Sequence, residues 1–343
     1  MLMKKIITFW CCLLMSFLSL AEDGYRLWLR YMPVDNPSRL SEYRNAIRGI
    51  RIVGNSPIIT AAREELTLGL EGMLGKKPGM LNSLQKGVVF AGVGQLAEIA
   101  AYRLQDKLQQ AGKEGFVIVN SGGSFVITAN SETGVLYGIF HFLRLLQTGQ
   151  SLNNISIISQ PRIVHRILNH WDNLDRSVER GYAGASIWDW HRLPGYIDPR
   201  YKDYARANAS IGINGTVLTN VNANAWVLTQ DYLAKVAALA NVFRPYGIKV
   251  YLTARFSAPV EIGGLKTADP LDAQVQNWWK LKADTIYRYI PDFGGFLVKA
   301  NSEGQPGPQN YNRNHADGAN MLADAVAPQD RKSTRLNSSH PYR

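Results

Sequence analysis

"GIKVYLTARFS", Gly247–Ser257, decides how the second half of this chain folds. A short apolar run ends in polar residues, as a buried strand does when it leaves a core. Before it stands "TQDYLAKVAALANVFRPY" (229–246) and after it "LDAQVQNWWKLKADTIYRYI" (271–290), both with helical spacing. The same strand pattern recurs in "IVHRILNHWDN" (163–173), "GINGTVLTNVNAN" (212–224) and "FGGFLVKANSEG" (293–304), and "PRYKDYARANASI" (199–211) supplies a further helix. Four strand–helix units in succession predict the first half of a (β/α)8 TIM barrel, about residues 158–328. Half a barrel leaves two open edges and an uncovered inner face.

Upstream, residues 22–157 read as a small α/β sandwich domain. "RGIRIVG" (48–54) and "GVVFAGV" (87–93) are strands. "ITAAREELTLGLEGML" (59–74) is a helix, and a second helix is expected over Gln95–Gln110. "GFVIVNSGGSFVITAN" (115–130) is two strands joined by a Ser-Gly-Gly turn, followed by an apolar helix ending at Gly149. The fold class is therefore α/β, a sandwich domain followed by about four βα units of a barrel.

The two ends read differently. Lys4 and Lys5 precede an apolar stretch, Ile6–Leu20, that is short for a membrane span, and Ser19-Leu20-Ala21 offers small residues for cleavage. A signal peptide over residues 1–21 is expected, hence a periplasmic or extracellular protein. Both cysteines, Cys11 and Cys12, fall within it, so the processed chain has no thiol chemistry. At the other end, "QDRKSTRLNSSHPYR" (329–343) has no apolar periodicity and does not continue the helix begun at "GANMLADAVA". It reads as a non-native tail.

The formal charge of +11 falls to +6 without these ends, since 32 basic and 26 acidic residues remain. No dense Lys/Arg run is present, which excludes a nucleic-acid footprint, and a mild positive balance suits an acidic substrate. "AGVGQLA" (91–97) mimics a dinucleotide loop, but the next strand ends in Asn120 where an acidic residue is required. The six histidines show no metal-ligand spacing, and no nucleophile elbow or phosphate loop is present.

Active sites of (β/α) barrels sit at the C-terminal ends of the strands. Lys299 and Glu303 stand there on the fourth strand, four residues apart, and both can face the mouth. A carboxyl desolvated near aromatics gains general-acid character, and a lysine can bind a substrate carboxylate. The bland alternative is a solvated glutamate and a lysine lying along the surface. Trp171 follows the first strand and could stack on a sugar, with Asp172 and Asn173 binding hydroxyls. Trp188 and Trp190 read as loop packing. Asn220, Asn222 and Asn224 alternate after the second strand, either as a hydroxyl-binding face or as a turn. Arg255 reads as the structural partner of a barrel carboxylate.

"HWDN" (170–173), "SIWDWH" (186–191), "RYKDYARANASIGING" (200–215), "TNVNA" (219–223) and "VKANSEGQPGP" (298–308) stand in this order. Together they resemble the α-glucuronidases of glycoside hydrolase family 67, from "GYRLWLRY" (24–31) to about Pro328. The resemblance implies release of glucuronic acid, or its 4-O-methyl ether, from xylan-derived aldouronic acid oligosaccharides with inversion. Glu303 then matches the general acid, and Lys299 a contact of the uronic carboxylate. Trp171 and Val221 match an apolar sheath around the 4-O-methyl group, with Asn222 beside them in the substrate-binding set. It implies no cofactor, metal, nucleic-acid partner or membrane partner after signal cleavage, and is compatible with a homodimer. The family's general base comes from later strands, beyond Pro328, so this chain alone is expected to fold poorly and to be inactive. Two alternatives stay open: a non-catalytic carbohydrate-binding protein, and a hexosaminidase-like glycosidase. Ser302 before Glu303, where the latter carry Asp-Glu, speaks against the second.

Overall fold

The computed structural model describes residues 24–83, 85–298 and 306–333. The expected signal peptide, Lys299, Glu303 and residues 334–343 of the tail lie outside them.

The first sheet comprises β1 (Gly49–Ile52), β2 (Gly79–Met80), β3 (Val88–Val93), β4 (Phe116–Ser121), β5 (Ser124–Ala129) and β6 (Ser156–Ser159), in the order β2-β1-β3-β5-β4-β6. β2, β1, β3 and β5 run parallel, and β4 is antiparallel to both its neighbours. Gly122 and Gly123 close the β4–β5 hairpin at φ 60° and 81°, a two-residue turn that glycine enters without steric penalty.

Period-2 alternation sends successive side chains to opposite faces. Ile50, Val89, Ala91, Ile118 and Ile127 join the core under α1 (Pro37–Ala46), α2 (Pro57–Leu74) and a later helix, α5 (Glu132–Gln147). Val88, Phe90, Val117 and Val126 face α3 (Ala97–Ala100) and α4 (Gln105–Ala111) instead. The single helix expected over 95–110 is thus two. The chain turns at Arg103, φ 53°, and the break brings Ile99, Leu104 and Leu108 all onto the sheet. α5 lies close because Gly138 has no side chain; a Cβ there would be 2.7 Å from Ile127 Cγ2.

The second sheet is the barrel portion. β7 (Ile167–Asn169), β8 (Gly215–Val217), β9 (Lys249–Ala254) and β10 (Gly295–Val298) are all parallel and stand side by side in chain order. Between them run α6 (Pro199–Ser210), α7 (Gln230–Phe243), the short α8 (Ala258–Glu261) and α9 (Ala273–Tyr289). Asp198 and Asp272 cap α6 and α9, accepting from Arg200 N and Gln274 N. β8 is fully buried, while every residue of β7 and β10 is half-buried or exposed, as expected of edges left without neighbours. The last helix, α10 (His315–Ser333), does not stop near Pro328 as its sequence suggests; it runs through the proline, which removes one backbone donor from the helix.

The two sheets share one continuous hydrophobic core through α2, α5, α6 and α7. At the joint Arg206 of α6 grips Glu65 of α2 with two bonds of 2.8 and 2.9 Å, and Tyr31 donates to the same carboxylate at 2.6 Å. Burial works against the Arg206 cation, but Glu65 outweighs it and raises the guanidinium pKa; burial, then Glu65, pushes the Tyr31 phenol up. A cleft of about 600 Å³ opens at this joint, lined by Pro57, Ala61, Ile197, Pro199 and Val242 among others. None of these lies at a strand's C-terminal end, where the chemistry of this fold is built.

Candidate active site

The register of the second sheet sets which residues face the concave side. Asn169 aligns with Val217, Val217 with Tyr251, and Thr253 with Leu297. Residues aligned across parallel strands share a face. The opposite set, including Val250, Leu252 and Ala254, is packed under the helices. The concave face therefore carries Asn169, Val217, Tyr251, Thr253 and Leu297, and its mouth is formed by the segments that follow them.

After β7 the alternation continues for two residues. His170 turns to the helix side, with Nε2 2.8 Å from the Tyr204 hydroxyl and its ring 5.2 Å from that of Trp188. Tyr204 in turn lies 2.9 Å from Thr216 Oγ1, and burial raises its phenol pKa, with a smaller contribution from Asp172. Trp171 falls on the concave side and is 43% exposed. Its carbonyl accepts from Glu179 N at 2.8 Å, and Asn220 Nδ2 lies 3.4 Å away. The Trp171 backbone is thus held between the half-buried His170 and a hydrogen-bonded hairpin.

Other expected sugar contacts have structural duties. Asp172 is buried, with Oδ1 3.4 Å from His170 Nδ1 and its carbonyl accepting from Asn220 N at 2.7 Å. The Asn173 amide donates to Ser177 Oγ and to the Glu179 carbonyl at 3.0 and 2.7 Å. Both side chains thus have partners within the protein. The Asn220–Asn222–Asn224 face does not form either, because the backbone turns: Ala223 N donates to the Asn220 carbonyl at 2.8 Å. Asn220 Oδ1 accepts from Asn222 N, and Asn224 Oδ1 accepts from Trp226 N. Val221 and Asn222 remain half-buried at this rim. Trp188 and Trp190 are fully buried and pack the loop. Arg255 pairs with Glu261 of α8 at 2.9 Å.

Lys299 and Glu303 lie outside the described residues. A short 3-10 turn spans Pro308–Tyr311. Arg313 then holds Asp269, in the segment between α8 and α9, through bonds of 2.9 and 2.8 Å. This pairing keeps the Asp269 carboxyl below the usual carboxylate range. The His170–Tyr204–Thr216 chain went unread in the sequence; the alternation that turns His170 away from Trp171 was the signal for it.

Comparison with solved structures bears on the fold. Similar folds occur in a GH138 enzyme targeting pectin rhamnogalacturonan II (TM-score 0.56, 15% identity, 84% of this chain and 34% of that one) and in a GH115 4-O-methyl-α-glucuronidase with specificity for decorated arabinogalactans (TM-score 0.50, 12% identity, 84% and 44%). The sandwich followed by barrel strands is thus an architecture that glycoside hydrolases use. Two family models divide this chain between them: the glycosyl hydrolase family 67 N-terminus over residues 27–142 and the family 67 middle domain over 145–333. The chain belongs to glycoside hydrolase family 67. The probable alpha-glucuronidase A of Aspergillus terreus is 39% identical over 336 residues, which is 96% of this chain and 39% of that protein. Alpha-glucuronidase A of Emericella nidulans is 39% identical over 327 residues, 92% of this chain and 38% of that protein. The chain therefore spans about two-fifths of the length of the curated relatives it matches.

Proposed function

We propose that this chain is the N-terminal domain and first barrel strands of an inverting α-glucuronidase, acting on aldouronic acids derived from xylan. The single observation that supports it best is the place of Trp171 and Val221. Both stand at the C-terminal rim of neighbouring parallel strands, and their segments are bonded to each other through Asn220. An exposed indole and a half-buried valine on adjoining rim segments suit a methyl ether on a sugar.

In this reading Lys299 pairs with the uronic carboxylate by a charge-assisted bond. The concave face of β10 carries Gly295 and Leu297, aligned with Tyr251 and Thr253, and Lys299 is the next position of that alternation in sequence. Glu303 gives its proton to the xylose oxygen as the glycosidic bond breaks. A second carboxylate, supplied by later strands of the family, takes a proton from the water that attacks the anomeric carbon from the opposite face. Inversion requires the two carboxyls to stand roughly 6.5–9.5 Å apart, with the water between them. We further propose the division at about residues 157/158, and export with cleavage after Ala21, which N-terminal sequencing of the exported protein checks.

The test uses two proteins: the 343-residue chain, and an extended chain in which residues 24–328 are joined to the C-terminal remainder of the Aspergillus terreus relative. The extended chain is expected to release 4-O-methylglucuronic acid from aldotetraouronic acid, and the chain alone to release essentially none. Trp171→Ala in the extended chain should reduce the preference for the methylated over the unmethylated sugar by about three- to fivefold, the worth of one buried methyl group. Release by the chain alone would refute the divided-carboxylate mechanism, and an unchanged preference would remove Trp171 from the methyl site.

A further inference from the structure

Behind Trp171, on the helix side of the second sheet, lies a line of polar groups. His170 Nε2 is 2.8 Å from the Tyr204 hydroxyl, and that hydroxyl is 2.9 Å from Thr216 Oγ1. Across the imidazole ring, His170 Nδ1 stands 3.4 Å from Asp172 Oδ1. The line therefore joins the segment after β7, helix α6 and strand β8. Thr216 and Asp172 are buried, and Trp188, fully buried, packs its ring 5.2 Å from that of His170 and 5.1 Å from that of Tyr204.

One direction of hydrogens satisfies every member. Thr216 donates to Tyr204, Tyr204 donates to His170 Nε2, and His170 Nδ1–H donates to the Asp172 carboxylate. In the reverse direction Thr216 would accept from Tyr204, and its own hydrogen would have no acceptor, since its hydroxyl has no other partner among the described residues. A buried hydroxyl left in that state is costly. The line thus has one preferred order, and the Thr216 hydroxyl is its starting donor.

Trp171 stands between two members of this line, His170 and Asp172, and strand alternation turns its side chain to the concave side. The indole makes no hydrogen bond and no ring contact among the described residues. Its direction therefore follows the backbone of residues 170–172. His170 N donates to the Val217 carbonyl at 3.1 Å, and the Asp172 carbonyl accepts from Asn220 N at 2.7 Å. The polar line adds a side-chain anchor to both neighbours of Trp171 at once.

We infer that His170, Tyr204, Thr216 and Asp172 are positioning residues that fix the direction of the Trp171 indole and thereby set the preference for the 4-O-methylated sugar. That the indole meets a methyl ether rests on the glucuronidase reading; that the line fixes the indole does not. Thr216 is the sharpest probe, because valine keeps its shape without the hydroxyl and serine keeps the hydroxyl.

The experiment has two readouts. Tryptophan is replaced by 5-fluorotryptophan in the 343-residue chain and in the extended chain, and the Trp171 ¹⁹F resonance is assigned by its loss in Trp171→Phe. Circular dichroism confirms the fold of each variant. Thr216→Val and Tyr204→Phe are expected to shift or broaden that resonance, and Thr216→Ser to keep it in place. In the extended chain the same two variants should lower the preference for the methylated over the unmethylated sugar about three- to fivefold, the worth of one buried methyl group. The loss should fall on KM for the methylated sugar, with kcat for the unmethylated one nearly unchanged. A resonance unmoved in both variants, or moved equally by Thr216→Ser, overturns the inference, and so does an unchanged preference in an active extended chain. Failure of the glucuronidase reading gives a different pattern: the extended chain releases no uronic acid, yet the resonance moves in Thr216→Val and not in Thr216→Ser, which upholds the positioning role.

Discussion

Replacing Glu303 with Gln in the extended chain is expected to lower kcat for 4-O-methylglucuronic acid release by about 10²–10⁴-fold with KM nearly unchanged. Xylose departs through an alcohol oxygen, a poor leaving group unless it is protonated as the bond breaks. Glutamine matches the shape and neutrality of the protonated acid, so it should leave ground-state binding intact while supplying no proton. The pH profile gives a second signature. Rate in the unmodified protein should fall on the alkaline side as the acid loses its proton, and the Gln variant should lack that limb. Activity within tenfold of the unmodified protein, or an alkaline limb that persists, removes Glu303 from the acid role.

The second large effect concerns stability. Arg206→Ala should destabilise the chain by about 3–5 kcal/mol, because it leaves the Glu65 charge buried without its partner. Glu65 is 3% exposed and Arg206 8%. The pair bridges α2 under the first sheet and α6 under the second, so its loss loosens the joint between them. A fall in melting temperature of roughly 10 °C is expected for a chain of this size. Replacing the whole group by apolar residues, Glu65→Leu with Arg206→Met and Tyr31→Phe, should recover most of the loss, since no buried charge or hydroxyl then lacks a partner. A melting temperature unchanged in Arg206→Ala would show that water or another group reaches Glu65 without cost.

Most of the architecture could be read from period and punctuation. Strands of the second sheet are short apolar runs between helices of 12 to 17 residues, and their parallel order follows from that alternation. Gly122 and Gly123 marked the hairpin because a two-residue turn demands positive φ. The breaks were less legible. Nothing in Gln95–Gln110 announces the turn at Arg103, which is imposed by the need of Ile99, Leu104 and Leu108 to reach one sheet face. Pro328 read as a helix end, yet α10 runs past it.

At the site the limit was similar. Trp171 could be placed because one step of alternation separates it from a strand end. Asn220, Asn222 and Asn224 could not, because a shared face assumes extended backbone and the chain turns at Asn220–Ala223. Asp172 has the chemistry to bind a hydroxyl, but side-chain chemistry does not reveal that His170 lies beside it and that its carbonyl is taken by Asn220.

One measurement addresses the proposed sugar site most directly. 4-O-Methyl-D-glucuronic acid carrying a ¹³C-labelled methyl group is added in excess to the 343-residue chain, and transferred NOEs from that methyl are recorded, a readout that tolerates weak binding. NOEs to the Trp171 indole and the Val221 methyl protons, lost in Trp171→Ala, are the predicted result. A bound ligand whose methyl reaches neither residue, or no transfer to the chain at all, would contradict the assignment of this rim to the glucuronic acid.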